Sequence, residues 1–437
     1  MSKIRLHGSS SGYTEIAPVA ASGNNTITLP NDGTIISKDA NGAVGVTSIK
    51  SSNVNVGTAV TITESGIEAT GVGITCANIN GGQIGGRRNK VINGAMTVSQ
   101  RNGTTAVQLS ATEQYIVDRF TNDSASSFDM KADASQSTDS PDGFSNSLKL
   151  ACDGVSTPSS IQNGAISHYI EGQDLQDLAF GTSNAKPLTL SFYAKSASQN
   201  NGHVYGVFLG AYLSGTRNAQ TRGFTITSSW QRFIMTFDGT GTVTSTAINN
   251  NRQKGIQICF SLAAGSDDQK NYATWTADSG LRGFTGQDNF FDNTSNEIYI
   301  TGVQLEVGSQ ATEFEHRSGG EELQLCKRYY QEYVNIAAVG NVPDNGSRSY
   351  SHALMFPVEM RAAPTITISN TGSSNGQVVT DAENSVYISS LLSTGVQTTG
   401  ATISFYLTGD LTNYRGAYLT STASTTNQTT YKLSAEL

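Results

Sequence analysis

The side chains able to do chemistry are few and scattered. The five histidines, His7, His168, His203, His316 and His352, fall far apart. None sits in an HExxH run or an i, i+4 pair, so no helix face is set up to ligate a metal. The four cysteines, Cys76, Cys152, Cys259 and Cys326, form no CxxC pair. That spacing predicts neither a disulfide framework nor a zinc site and fits a chain made in a reducing cytosol. The sequence holds no GxGxxG or P-loop motif. Carboxylates pair at Asp267-Asp268, at Glu321-Glu322, and at Asp288 with Asp292. Glycan hydrolysis needs two carboxyls about 5–9.5 Å apart, whereas neighbours along a strand point to opposite faces. Asp267 and Asp268 read as solvated loop residues. Asp288 and Asp292 read the same way, or as oxygens for a structural Ca²⁺. Glu321 and Glu322 read as favourable charge at a helix N-terminus. No catalytic residue, cofactor or metal site is expected.

Aromatic residues carry the remaining chemistry. Exposed Tyr and Trp can stack on sugar faces and hydrogen-bond hydroxyls at low entropic cost. Trp230 opens an apolar strand and reads as packing. Trp275 lies in the polar stretch 271–280, where it either packs beneath a loop or offers a platform to a sugar ring. Tyr414 and Tyr418 lie near the turn Gly409-Asp410-Leu411-Thr412-Asn413. Tyr414, Tyr418 and Trp275 are therefore the candidates for sugar contact.

The elements that position these residues are strands. Leu188, Leu190 and Phe192 alternate with polar neighbours, as do Phe233, Met235 and Phe237. Ile256, Ile258, Phe260 and Leu262 follow the same period, and so do Val303, Leu305 and Val307. Period two with Gly/Asn/Asp/Ser turns predicts a jelly-roll β-sandwich over residues 87–318. Ser318-Gly319-Gly320-Glu321 is a capping box. Leu323, Cys326, Tyr330 and Tyr333 then share one helical face, which predicts a linking α-helix over 319–335. Residues 336–437 alternate again, clearly at Ile403, Phe405 and Leu407, and predict a smaller C-terminal β-sandwich.

The N-terminal stretch differs. Over 49–86, Val54, Val56, Val60, Ile62, Ile67, Val72, Ile74 and Ile79 recur between glycines. Each mini-strand is too short to stand alone in water. Three identical chains wound about an axis would bury these residues against one another, which predicts a trimeric β-stalk. Residues 1–48 hold too little apolar surface for a core. Ile4, Leu6, Tyr13, Ile16, Ile27 and Leu29 read as a docking segment that orders on a partner.

Composition agrees with an all-β structural protein. The 437 residues include 45 Gly and only 14% charged residues, against about 25% in ordinary globular chains. A net charge of −8 argues against a nucleic-acid partner. No apolar run reaches the ~18 residues of a membrane span, and no apolar segment after Lys3 and Arg5 predicts a secretory signal.

Several blocks together resemble bacteriophage tail fibres of the marine and cyanobacterial phage type. Residues Asn89 to Arg101 and Tyr115-x-x-Asp118-Arg119-Phe120 resemble the opening of a sandwich domain in these proteins. Ile300 to Gly308 and Ala311 to Glu315 resemble its closing strand. Leu325-Cys326-Lys327-Arg328-Tyr329-Tyr330 is similar to the linking helix, and Phe356-Pro357-Val358-Glu359-Met360-Arg361-Ala362-Ala363-Pro364 to a further family block. Ala435-Glu436-Leu437 is similar to the family's closing residues, and Ser10 to Pro18 with Thr26 to Pro30 to its leader. The resemblance implies a virion fibre with a carbohydrate-binding-like jelly roll, and with the stalk reading a homotrimeric one. Residues 1–48 would then dock on a tail adaptor or nozzle protein, and the distal domains would meet host polysaccharide or lipopolysaccharide. A head fibre or decoration protein, and a glycan-degrading tailspike, are the alternative readings.

Overall fold

The computed structural model describes residues 4–7, 13–16, 60–63, 66–69, 87–214, 216–334, 336–342, 349–369, 377–380, 385–411, 415–421 and 430–437. The expectations placed on Ile27, Leu29, Val54, Val56, Val72, Ile74, Ile79 and Tyr414 lie outside these residues. The chain divides into two compact units, Met1–Cys76 and Ala77–Leu437. Among the described residues no helix is long and apolar enough to cross a membrane.

In the first unit, Ile4–His7 pairs antiparallel with Tyr13–Ile16, Ile4 opposite Ile16. Val60–Thr63 pairs antiparallel with Gly66–Ala69, Val60 opposite Ala69 and Ile62 opposite Ile67. Both mini-strands of the expected stalk thus find a pairing partner within their own chain.

The second unit holds the expected all-β sandwich. Its seven-stranded sheet runs, in spatial order, Thr276–Ala277, Thr216–Thr225, Val204–Leu213, Lys254–Ala264, Asn163–Glu171, Phe120–Ala125 and Tyr115–Val117. Its six-stranded sheet runs Gln231–Phe237, Leu188–Ser196, Glu297–Val307, Ser147–Cys152, Ala132–Ser137 and Val107–Gln108. The alternating residues predicted to face inward do so. Leu188, Leu190 and Phe192 meet Val207, Leu209, Ile256, Ile258 and Phe260 in one core. Gly94 lies where the backbones touch, since a Cβ there would stand 2.1 Å from the Val303 carbonyl oxygen.

The linking helix is shorter than expected. Ser318 caps it as predicted, its hydroxyl accepting from Glu321 N, but it ends at Lys327. Tyr330–Val334 is a strand instead, pairing with Thr430–Ser434, Tyr333 opposite Tyr431. The spacing of Tyr330 and Tyr333 suits a helix face. However, aromatic residues also favour strands, and the ladder to residues distant in sequence prevails.

The smaller sandwich expected over 336–437 takes the form of a barrel with a sheet beside it. Tyr330–Val334, Thr430–Ser434 and Thr365–Ser369 make a three-stranded sheet. Ala338–Asn341, Ser349–Met355, Gly400–Leu407, Ser385–Val396, Gln377–Thr380 and Gly416–Ser421 close into a barrel in that order. Alternation looks the same in a sandwich and a barrel. Closure comes from Ser385–Val396, whose pairing shifts register after Ile388 and again after Leu391. Such bulges bend a strand, and here Gln377–Thr380 reaches Gly416–Ser421 to complete the ring.

Sandwich and barrel are joined by a buried charged cluster. Glu436 forms ion pairs with Arg119 and with Arg101, the latter at 2.9 Å. Arg119 is 1% exposed, lies 3.5 Å over the Tyr329 ring and donates to the Tyr169 carbonyl at 2.7 Å. Glu171 is fully buried and accepts from Arg328 Nε (2.8 Å), Arg328 Nη2 (2.9 Å) and Tyr329 Oη (2.6 Å). Arg361 donates to the carbonyls of Ala435, Glu436 and Arg252 at 2.8, 2.8 and 2.7 Å. Removing one partner of a buried pair strands the other without solvent or counter-charge. Glu436→Ala should cost about 3–5 kcal/mol in chemical denaturation; a loss below about 1 kcal/mol would show that the cluster does not hold the domains.

Inside the barrel, His352 is buried among Tyr350, Phe405 and Tyr431, stacked on Phe405 at 5.6 Å. Neither ring nitrogen has a hydrogen-bond partner among the described residues. Burial therefore holds the imidazole down to about 4, from 6.5. Between those values the unfolded chain takes up a proton that the folded barrel does not. Stability should fall as pH drops from about 6.5 to about 4, by at most about 3 kcal/mol, and should not vary on this account above that window. His352→Phe should remove that part of the pH dependence, measured as the difference between denaturation at pH 7 and pH 4.5.

Candidate functional site

The outer face of the seven-stranded sheet is treated differently along its length. Over one half lies the segment 265–287. It buries Ala165, Phe208, Ala219, Cys259 and Leu281 in a small second core. Phe284 presses on bare backbone, so that a Cβ on Gly223 would stand 2.4 Å from its ring. The other half is open. Tyr212, Leu213, Thr216 and Arg217 from one hairpin face Asn249, Asn251, Gln253, Lys254 and Ser279 across a cleft of about 540 Å³.

A polar network underlies this cleft. Asp123 Oδ2 accepts from Gln257 Nε2 (2.7 Å), Tyr169 Oη (2.9 Å) and Ser167 Oγ (3.2 Å). Gln257 is fully buried, and its Oε1 accepts from Arg217 Nη1 (3.0 Å) and Tyr212 Oη (3.1 Å). Arg217 also donates to the Ser279 carbonyl. Lys254 Nζ rests 3.7 Å over the Tyr169 ring. Burial pulls its ammonium below the usual lysine range, while the Glu113 and Asp123 carboxylates pull the other way. Burial likewise raises the Tyr212 phenol, against the effect of Arg217.

This arrangement gathers hydrogen-bonding groups at one opening. Asp123 Oδ2 already accepts from three donors of the protein itself. The nearby Cys259 thiol is fully enclosed, and burial pushes it up, out of the reactive thiolate range. What the cleft offers a ligand is amides, hydroxyls, two cations and the edge of a tyrosine. Convergent polar groups around an aromatic wall match a ligand rich in hydroxyls.

The residues singled out from sequence lie elsewhere. Trp275 is 2% exposed, so it is no platform for a sugar. Its indole sits edge-on to Phe180 at 5.7 Å, and its N–H donates to the Asp238 carbonyl at 2.5 Å. The polar stretch around it is a lid, and the tryptophan is the part that faces inward. Tyr418 is 53% exposed on the barrel wall, opposite the exposed Val339. Trp230 is half-buried against Tyr299 and donates to Asp139 at 3.2 Å.

The carboxylate pairs have structural duties. Asp267 is exposed as expected, but Asp268 is buried and paired with Arg282, which also holds Asp278 at 2.8 Å. Asp288 accepts from Val204 N at 2.7 Å, and Asp292 from Asn296 Nδ2 at 2.8 Å. Glu321 pairs with Arg87, and Glu322 accepts from Asn93 N at 2.6 Å.

Sequence reasoning missed Asp123, Tyr169, Tyr212, Arg217, Lys254 and Gln257. In the run Ile256-Gln257-Ile258, the glutamine occupied the position read as the solvent face. A usable signal was the company it keeps, with Tyr169, Tyr212 and the small residues Gly206, Gly210 and Gly223 at polar-face positions of other strands. Pairing sets Tyr169, Gln257, Gly210 and Ala219 in one row, with Tyr212 opposite Arg217 in the same hairpin, whereas Gly206 and Gly223 pair with each other under the covered half.

No protein-family model matches the chain, and no curated protein matches it by sequence. Among solved structures it is similar to a candidate sugar-binding protein from Bacteroides thetaiotaomicron, 9% identical, over 50% of this chain and 100% of that one (TM-score 0.28). It is also similar to the family 11 carbohydrate-binding module of a Clostridium thermocellum cellulase, 12% identical, over 50% and 100% of the two chains (TM-score 0.25). The enzymatically active domain of tailspike protein 4 of bacteriophage CBA120 is 14% identical, over 50% of this chain and 21% of that one (TM-score 0.26). At these scores the likeness carries no weight for function.

Proposed function

We propose that this chain is a virion attachment protein, the subunit of a homotrimeric phage tail fibre, and that its sandwich binds host surface glycan in the open cleft. The cleft carries the reading. Its groups of about 540 Å³ compass are polar, convergent and backed by a buried network. Such a surface has a cost in the folded state that a purely structural sheet avoids by covering it, as segment 265–287 does on the other half. The fibre identity and tail location draw on the sequence blocks that resemble tail fibres. Binding without cleavage is part of this proposal, in keeping with Asp123 Oδ2, which already accepts from three protein donors.

The binding claim is tested by titrating the full chain against an array of neutral and acidic oligosaccharides. Tyr212→Ala should weaken the best ligand by up to about tenfold, the loss expected of one aligned polar contact, while the chain still folds by circular dichroism, since Gln257 Oε1 keeps its Arg217 donor. Undiminished binding in that variant would move the site off the cleft. Assembly is tested separately. Sedimentation of the full chain should return a mass three times that of the monomer, and a stable monomer would sink the trimer.

A further inference from the structure

Enclosed cations in this unit have counter-groups. Lys149 meets Glu297 at 2.7 Å, Lys195 pairs with Asp139, and Arg328 meets Glu171 at 2.8 Å. Arg222 and Arg361 have no carboxylate but are surrounded by carbonyls. Lys254 has neither. It is only partly exposed, yet among the described residues it has no ion pair and no hydrogen bond, only the Tyr169 ring beneath it. The carboxylates that face it are Asp123, whose Oδ2 already accepts from three donors, and the exposed Glu113, and neither forms an ion pair with it. Across the same cleft, Arg217 is held by Gln257 Oε1, Tyr212 Oη and the Ser279 carbonyl, none of them charged. Two cations thus line one opening without an ion-pair partner.

A half-desolvated ammonium gains most from an anion that arrives with its own hydrogen-bonding capacity. Resting it on an aromatic face lessens the cost of the unbound state without satisfying its three donors. We infer that the cleft takes a glycan bearing an anionic substituent, with Lys254 as its counter-ion and Arg217 flanking it. The inference rests on the reading of the cleft as a glycan site and names the class of glycan. A uronic-acid carboxylate and a sulfate ester share the required chemistry. Tyr212 and the amides would meet ring hydroxyls, and the ammonium would meet the charge.

The test uses calorimetry of the full chain with three probes: an oligogalacturonate, its carboxyl-reduced galactan counterpart, and a sulfated galactan oligomer. An anionic probe should bind at least about tenfold tighter than the reduced one, and the margin should shrink at high salt. Lys254→Gln should abolish that margin, and Lys254→Arg should retain most of it. A preference for the uronate assigns a carboxylate, and one for the sulfated chain assigns an ester. Equal binding of reduced and anionic probes would overturn the inference, as would a preference that survives Lys254→Gln. In both cases binding that still depends on Tyr212 leaves the glycan site standing. Failure of all three probes to bind, alongside failure of the wider array, would remove the site itself.

Discussion

Glu436 and Arg119 meet where no water can compensate either of them, and much of the architecture is arranged around that fact. A guanidinium buried to this degree depends on the few groups that reach it. One side takes the Glu436 carboxylate, one the Tyr329 ring, and one the carbonyl of Tyr169. Those three partners come from the segment after the last barrel-side strand, from the linker after the helix, and from the middle of the sandwich. A group that needs all three at once fixes the domains relative to each other. Arg361 adds to this by holding the carbonyls of residues 435 and 436 on one side and that of Arg252 on the other.

The consequence reaches the cleft by two short routes. Tyr169 gives its carbonyl to Arg119 and its ring to Lys254. Arg252, whose carbonyl is held by Arg361, lies two residues before Lys254 on the segment that forms one wall. The position of the ammonium is thus set by the same contacts that hold the barrel to the sandwich. Binding groups fixed before a ligand arrives lose little further freedom on binding.

The strands were legible in the residues because one-sided burial leaves a period of two. The inward sets around Phe192, Ile258 and Leu305 could be read directly from alternation. Pairing was not legible, and three differences follow from that. Tyr330 and Tyr333 satisfy helical and strand patterns alike, and only the partner strand 430–434 decides between them. The barrel and a sandwich demand the same alternation, and bulges after Ile388 and Leu391 decide closure. Trp275 sits in a polar stretch yet points inward, because it completes the main sandwich core against Phe180 and finds the Asp238 carbonyl for its N–H. The blocks at 115–120, 325–330, 356–364 and 435–437 are those that resemble tail fibres in sequence. In three dimensions they converge on the Arg119–Glu436 cluster, which no single block displays.

That convergence bears on how so open a cleft could hold a host glycan. A shallow site with one unpaired ammonium and a few amides gains little per contact, because each hydrogen bond to a sugar replaces one to water. Two features raise the yield without deepening the pocket. The frame is rigid, so the ordering cost falls mainly on the ligand. Repetition would supply the rest: in the proposed trimer, the second and third clefts would engage a polymer already held by the first, at an effective concentration set by the spacing of the subunits. A repeating polysaccharide is the ligand for which such spacing matters most, since identical epitopes recur along one chain. A rigid frame around a modest cleft therefore suits a fibre that must grip reversibly at each copy and firmly in sum.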